Sequence, residues 1–403
     1  MDEEAFFQPI KKIVSHAALK LSYSLTGDRG PGLSNSTAII ASSSPFRPFT
    51  SVQESGLILS TLGNDELTYE KKTEFNLGID LGFLENRINV AMDVYTRDNH
   101  DLIGTTRTQG VGGEIAKFAN IASMKSHGFE LSISSNNIKT KDFSWNTDFI
   151  YSIYKNEVTD LNAIATTMDY VSGTGFTMVG YPHRGLFSIP FAGLDSNGIP
   201  MFYNEKGEIT STDLSFQSSD DFSWLKYEGP TEPTFTGSLG NSFTYKNVHL
   251  NVFFTYSGGN VVRLDPVFSY RYSDLTATTR EFKNRWMVPG DENRTNVPTI
   301  LSYRQYYENA ELRNAYSAYN YSTERVAKGG FIRLKEISVA YDFPKKWLSA
   351  LKVSNVSLKL QATNLCLLYA DKKLNGQDPE FVNSGGVASP VPRQFTMTLR
   401  LGL

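Results

Sequence analysis

A single cysteine, Cys366, in 403 residues excludes an internal disulfide and any thiolate-built zinc site. The five histidines are scattered and none sits at ligand spacing from another, so no metal or cofactor is expected. Positive charge is not in excess. Thirty-nine Lys and Arg against 42 Asp and Glu leave a net charge of −3, which argues against a nucleic-acid partner. Met1-Asp2-Glu3-Glu4 has neither the basic nor the apolar region of an export signal. No run approaches the ~20 apolar residues of a membrane-spanning helix. If this chain meets a membrane, strands must cross it.

What is present is aromatic residues and glycine, 21 Tyr, 26 Phe, 4 Trp and 31 Gly, a balance that suits many strands and turns. Apolar residues recur with period two. Phe75, Leu77, Ile79, Leu81 and Phe83 alternate with Glu74, Asn76, Gly78, Asp80 and Gly82. The same pattern runs through Ile88–Val94, Phe129–Ile133, Phe143–Ile153, Phe235–Tyr245, Val248–Tyr256, Val356–Leu360 and Phe395–Leu403. Such alternation means one apolar and one wet face. Most runs reach the ~9–11 residues of a tilted membrane-spanning strand, beyond the ~5–6 usual in soluble sheets.

Strand starts are expected near Ala17, Leu67, Arg87, Met124, Asp142, Glu232, Val248, Gly330, Ser354 and Val391. The links between them alternate short and long. The long ones are Gly27–Glu66, Asn99–Ser123, Glu157–Thr231, Gly259–Gly329 and Leu368–Pro390. Tight turns at one end and extended loops at the other mark bacterial outer-membrane barrels. The expectation is therefore an all-β chain: about ten long antiparallel strands of a transmembrane β-barrel, with short periplasmic turns and long extracellular loops. Phe75, Leu77, Val90, Val94, Leu250, Val252, Leu399 and Leu401 should face lipid, and Phe143, Trp145, Tyr245 and Tyr256 should belong to interfacial girdles.

The residues that invite a binding role lie in the long loops: Trp286, Tyr303, Tyr306, Tyr307, Tyr316, Tyr319 and Tyr321, with Trp224 in the preceding one. Rings stack on sugar faces and anchor protein interfaces, but long ordered loops also need rings for their own packing. Asp220-Asp221 and Asp291-Glu292 lack the spaced ligands of a calcium motif. Gly110-Val111-Gly112-Gly113 has no following Lys-Ser/Thr and is no phosphate loop. No nucleophile–base arrangement is suggested, so an enzyme is not expected.

The residues also carry a family likeness. Glu70-Lys71, Gly78-Ile79-Asp80, Asn86-Arg87-Ile88, Tyr95 and Asp101-Leu102-Ile103 resemble the SusC/RagA family of TonB-dependent transporters. Gly112, Asn120-Ile121, Gly128-Phe129-Glu130, Gly180-Tyr181-Pro182, Ala192-Gly193-Leu194-Asp195 and Tyr245-Lys246-Asn247 follow in family order. Then come Pro289-Gly290-Asp291, Ile332-Arg333-Leu334-Lys335, Tyr341-Asp342-Phe343-Pro344, Asn364-Leu365 and Asp378-Pro379-Glu380. Leu403 and Cys366 depart from the pattern, standing where aromatic residues are usual. The resemblance implies that residues 1–403 form the C-terminal part of the barrel, with plug, signal peptide and N-terminal domain outside the chain. It implies a Gram-negative outer-membrane location and import of glycan or peptide oligomers. It further implies a SusD-like surface lipoprotein as partner, a TonB complex engaged through the missing N-terminal part, and the loop aromatics as substrate or partner contacts. From the residues alone, a soluble all-β carbohydrate-binding or adhesion protein is the alternative, and a passive pore is another.

Overall fold

The computed structural model describes residues 5–11, 13–29, 38–43, 51–53, 56–62, 64–110, 116–218, 221–267, 278–348, 353–382 and 390–402. Gly112, Asp220 and Leu403 lie outside them. Ten strands form one antiparallel sheet, each hydrogen-bonded to the next in sequence. They are β1 (Val14–Asp28), β2 (Glu70–Phe83), β3 (Ile88–Arg107), β4 (Ala116–Lys139) and β5 (Phe143–Leu161). Then follow β6 (Phe235–Tyr245), β7 (Val248–Gly258), β8 (Phe331–Asp342), β9 (Asn355–Ala370) and β10 (Gln394–Gly402). β1 and β10 are the edges of the sheet and are not paired to each other among the described residues.

Register makes the alternation of single strands into a property of the whole wall. Leu21 faces Leu77, Leu77 faces Val94, and Val94 faces Phe129. Phe129 faces Ile153 and Ile153 faces Phe235. Nearer the short turns, Leu250 faces Val339, Val339 faces Leu360 and Leu360 faces Met397. One face is therefore apolar across all ten strands, and it is bare: Leu21 is 67% exposed, Val94 51% and Leu399 58%. Folded soluble chains rarely leave a contiguous apolar surface this wide open to water. The opposite face carries Lys20, Glu74, Asp93, Arg97 and Glu130.

Aromatic rings edge the apolar face. Phe143 pairs with Tyr245, Trp145 stacks on Phe243 at 5.7 Å, and Tyr341, Phe343 and Trp347 continue the row near the short turns. Phe235 and Tyr256 mark the other end. Ten residue steps separate Tyr245 from Phe235 along β6. At ~3.3 Å per step and a tilt of ~40° they span about 25 Å, the height of the apolar band of a membrane barrel. Two Tyr–Gly joints lock neighbouring strands. Tyr95 lies across Gly128 and Tyr256 across Gly237, where the ring occupies the space a Cβ would need. The Tyr256 hydroxyl goes on to donate to the Ile150 carbonyl at 2.9 Å.

The short links turn as expected. Leu84, Glu85 and Asn86 all adopt positive φ between β2 and β3, and Lys246 does so between β6 and β7. One long link does not behave as expected. Most of Asn99–Ser123 is strand, because β3 runs on to Arg107 and β4 begins at Ala116. The interruption seen in the sequence is a bulge between Asn99 and Leu102, with Asp101 at φ 58°. Its exposed backbone groups are taken up locally. Asn120 donates to the Asp101 carbonyl at 2.6 Å, and Glu70 accepts from the Ile103 N–H at 2.8 Å. The Lys71 ammonium meets the Asp101 carboxylate at 2.7 Å.

Candidate functional site

The buried apolar core lies outside the wall, in a crown built from the connections β5–β6 and β7–β8. The helix α1 (Thr167–Val171), the ladder 185–188/226–230 and the hairpins 191–194, 200–203 and 209–210 come from the first connection. From the second come a short α2 (Tyr303–Glu308) and α3 (Ala310–Asn320), whose Ala315, Ala318 and Tyr319 close the core over Val171, Phe187, Ile189 and Phe202. Arg263 ties the two connections together. Its guanidinium donates to the carbonyls of Val171, Phe187 and Ser322 at 3.1, 2.7 and 2.9 Å and to the Ser188 hydroxyl at 3.1 Å. Burial pulls this guanidinium down to about 10, yet it stays charged at neutral pH.

The aromatic candidates separate into two groups. Tyr319 is 1% exposed and Tyr316 is buried with its hydroxyl donating to the Thr299 carbonyl at 2.7 Å. Burial raises the phenol pKa of both. Neither offers a ring face to a ligand, so both leave the candidate set as packing residues. Tyr321 meets Phe216 edge-on at 6.1 Å, and Trp224 is half-buried against the same core. Trp286 lies over Gly198, where a Cβ would come within 2.5 Å of the ring, and its indole N–H donates to Glu292 at 2.9 Å.

Tyr303, Tyr306 and Tyr307 remain. Their rings touch in sequence, Tyr303 to Tyr307 at 4.4 Å and Tyr306 to Tyr307 at 5.2 Å. Tyr303 is 70% and Tyr307 51% exposed. The elbow carrying them is well defined by its caps. Ser302 and Gln305 form a capping box at the start of α2, and Asn309 accepts from the Leu312 N–H to start α3. Arg313 reaches back to the carbonyls of Tyr306 and Tyr307 at 2.5 and 3.2 Å. Clustered exposed rings, with the Arg313 guanidinium 5.7 Å from the centre of the Tyr306 ring, suit stacking on a sugar or docking of another protein.

The acidic pairs are committed elsewhere. Asp291 accepts from the N–H groups of Met287 and Val288 at 3.1 Å each, and Asp221 accepts from Ser223. Among the described residues no cluster of His, Cys, Asp or Glu is placed to hold a metal ion. Buried ion pairs carry weight that the sequence reading did not assign. Arg333 meets Asp378 at 2.5 and 2.6 Å and approaches Glu380 at 3.2 Å, joining β8 to the loop after β9. The signal was present, since these residues belong to two of the motifs quoted above.

No protein-family model matches the chain. It is similar to TonB-dependent receptor P3 of Formosa agariphila, 26% identical over 386 residues that cover 90% of this chain and 35% of that receptor. It is similar to TonB-dependent receptor SusC of Bacteroides thetaiotaomicron, 27% identical over 372 residues, 84% of this chain and 32% of SusC. Among solved structures, that of the RagAB peptide transporter superposes with a TM-score of 0.75 at 22% identity, covering 97% of this chain and 41% of that one. The chain thus spans about a third of these receptors' length. The SusC/RagA likeness read from the motifs and the all-β outer-membrane-receptor fold are borne out.

Proposed function

We propose that this chain is the later, C-terminal part of the wall of a SusC/RagA-type TonB-dependent transporter in a Gram-negative outer membrane. In this reading the apolar face meets lipid, the polar face lines the lumen and the crown faces the outside. The transported material is an oligomeric nutrient, a glycan or a peptide. A SusD-like surface lipoprotein works with the crown, and a TonB complex engages segments outside this chain. The observation that carries the reading is the apolar face continuous over ten strands combined with a protein core confined to the loops at one end. A soluble binding protein would place that core between its sheets.

Within this reading Tyr303, Tyr306 and Tyr307 contact the nutrient or the lipoprotein, with Trp286, Trp224 and Tyr321 supporting the loops around them. The test replaces Tyr303, Tyr306 and Tyr307 by Ala in the intact transporter. Growth on the oligomeric nutrient and lipoprotein association are then measured, with surface abundance as the control. Losing one such anchor at a contact centre costs ~2 kcal/mol or more, about thirtyfold in affinity. Wild-type growth and association in the triple variant would remove the elbow from the binding surface.

A further inference from the structure

Two polar clefts of the crown share a wall at Glu281. The first, of about 260 Å³, lies between residues 264–265, 278–281 and 373–377. The second, of about 430 Å³, lies between residues 281–285 and 291–297. Their charges are unequally committed. Glu281 is taken by Arg325 and by Asn375, the latter at 2.8 Å. Asp265 is taken by Gln377 at 2.5 Å, and Asp291 by two backbone N–H groups. The cations are less engaged. Arg280 and Lys373 each make one long bond, to the carbonyls of Asn375 and Val326 at 3.5 Å. Arg294 has no side-chain partner among the described residues, and all three are exposed. Inside the first cleft, the Nε of Arg325, a residue 3% exposed, and the hydroxyl of Thr279 are buried without hydrogen-bond partners among the described residues.

Five cations, Arg280, Arg285, Arg294, Arg325 and Lys373, against three carboxylates, Asp265, Glu281 and Asp291, line the two clefts and leave a local positive potential on a chain whose net charge is −3. Two orphaned buried groups in the same cleft indicate an occupant that hydrogen-bonds there. We infer that the paired clefts bind the oxyanion groups of an acidic oligosaccharide, a polyuronate or a sulfated glycan. This inference rests on the transport reading and specifies its substrate class. A glycan fits better than an acidic peptide because the cleft walls are turns and short 3-10 segments. They present no strand edge for backbone pairing, and the Thr279 hydroxyl, unpartnered among the described residues, matches a sugar hydroxyl. Arginine and lysine fix carboxylate or sulfate by charge-assisted hydrogen bonds.

The experiment uses the intact transporter in detergent and calorimetric titration with a short oligogalacturonate, a sulfated oligosaccharide, a neutral malto-oligosaccharide and oligoglutamate of matched length. Binding of one or both acidic glycans is expected, weakening as salt rises, with the preferred one naming the oxyanion. The triple variant R280Q/R294Q/K373Q, altered only at exposed side chains, should bind it about tenfold more weakly or worse. Acidic-glycan affinity unchanged in that variant, no acidic-glycan binding at all, or tighter binding of oligoglutamate would each overturn the inference. Growth of cells carrying the unaltered transporter on neutral and acidic oligomers as sole nutrient separates the two readings. Import of a neutral oligomer with no acidic-glycan binding would sink the substrate class and leave the transport reading standing, whereas import of none would sink the transport reading itself.

Discussion

At the scale of single residues, the motifs that look like isolated family signatures are halves of contacts. Glu70, Lys71, Asp101 and Asn120 meet around one bulge, and Arg333 meets Asp378 and Glu380. The individual residues were legible in the sequence, but their pairing was not, because partners 19 to 47 positions apart announce no periodicity. The Arg333–Asp378 pair has both side chains nearly buried. Arg333→Ala strands a carboxylate, and about 3–5 kcal/mol of stability should be lost from the intact protein in urea unfolding. The double change R333M/D378L should recover most of it. No recovery would mean that the loop, and not the charge, depends on Arg333. Tyrosine illustrates the other limit of sequence reading. Seven loop aromatics after Gly259 look equivalent on paper, yet Tyr319 is core and Tyr303 is bare. Tyr319→Ala should cost about 3–5 kcal/mol, whereas Tyr303→Ala should leave stability within ~0.5 kcal/mol. Equal losses in unfolding would erase the division between packing and display.

At the scale of elements, all ten wall strands were visible because alternation survives in each, and their order follows the chain. Their ends were less visible. The bulge at Asp101 breaks the period, so seventeen residues of strand, 99–107 and 116–123, resemble a loop until Asn120 and Glu70 are seen to satisfy it. The crown was illegible for a different reason: its core is assembled from aperiodic turns whose partners come from two connections. The Tyr–Gly joints give a direct test of strand packing. A Cβ on Gly237 would lie 2.3 Å from both the Ile150 carbonyl and the Tyr256 hydroxyl, while one on Gly240 would make only ordinary contact at 3.5 Å with Phe253. Gly237→Ala should therefore destabilise by about 1–3 kcal/mol and Gly240→Ala by far less, measured by urea midpoints of the intact protein. In the crown, burial lowers the pKa of His183, with Glu232 opposing and Arg184 adding to the shift. The folded state thus binds the proton less readily than the unfolded chain, whose histidine titrates near ~6.5. Its stabilising contribution is complete above that value and is lost as pH falls through it towards the lower folded pKa. Amide-exchange protection around 176–185, taken relative to the intrinsic rate at each pH, should fall below about pH 6.5, and His183→Gln should flatten that dependence. An unchanged pH response in the variant would assign it to another group.

At the scale of the whole molecule, the sheet has two free edges among the described residues. β1 exposes Leu19, Leu21, Tyr23 and Leu25 along one side, and β10 exposes Phe395, Met397, Leu399 and Leu401 along the other. In water such edges invite aggregation, and in lipid each unpaired backbone group costs several kcal/mol. Even a handful of such groups on each edge would outweigh the ~5–15 kcal/mol by which folded proteins are ordinarily stable. A wall with this register therefore needs further strands between β10 and β1 before it can sit in a bilayer. The TM-score of 0.75 over 41% of a larger barrel protein is the geometry expected of a wall segment with that need. The expected outcome is that residues 1–403 expressed alone give no heat-resistant monomer in detergent. Under the proposed function, co-expression with the transporter's other segments should restore a heat-modifiable band containing both pieces. Cross-links placed at Leu21 and Met397 would then form to the added segments and not to each other. A compact, heat-resistant monomer of residues 1–403 with a Leu21–Met397 cross-link would instead show β1 pairing directly with β10. In that case ten strands would close on themselves, and the lumen would be too narrow to pass an oligomer.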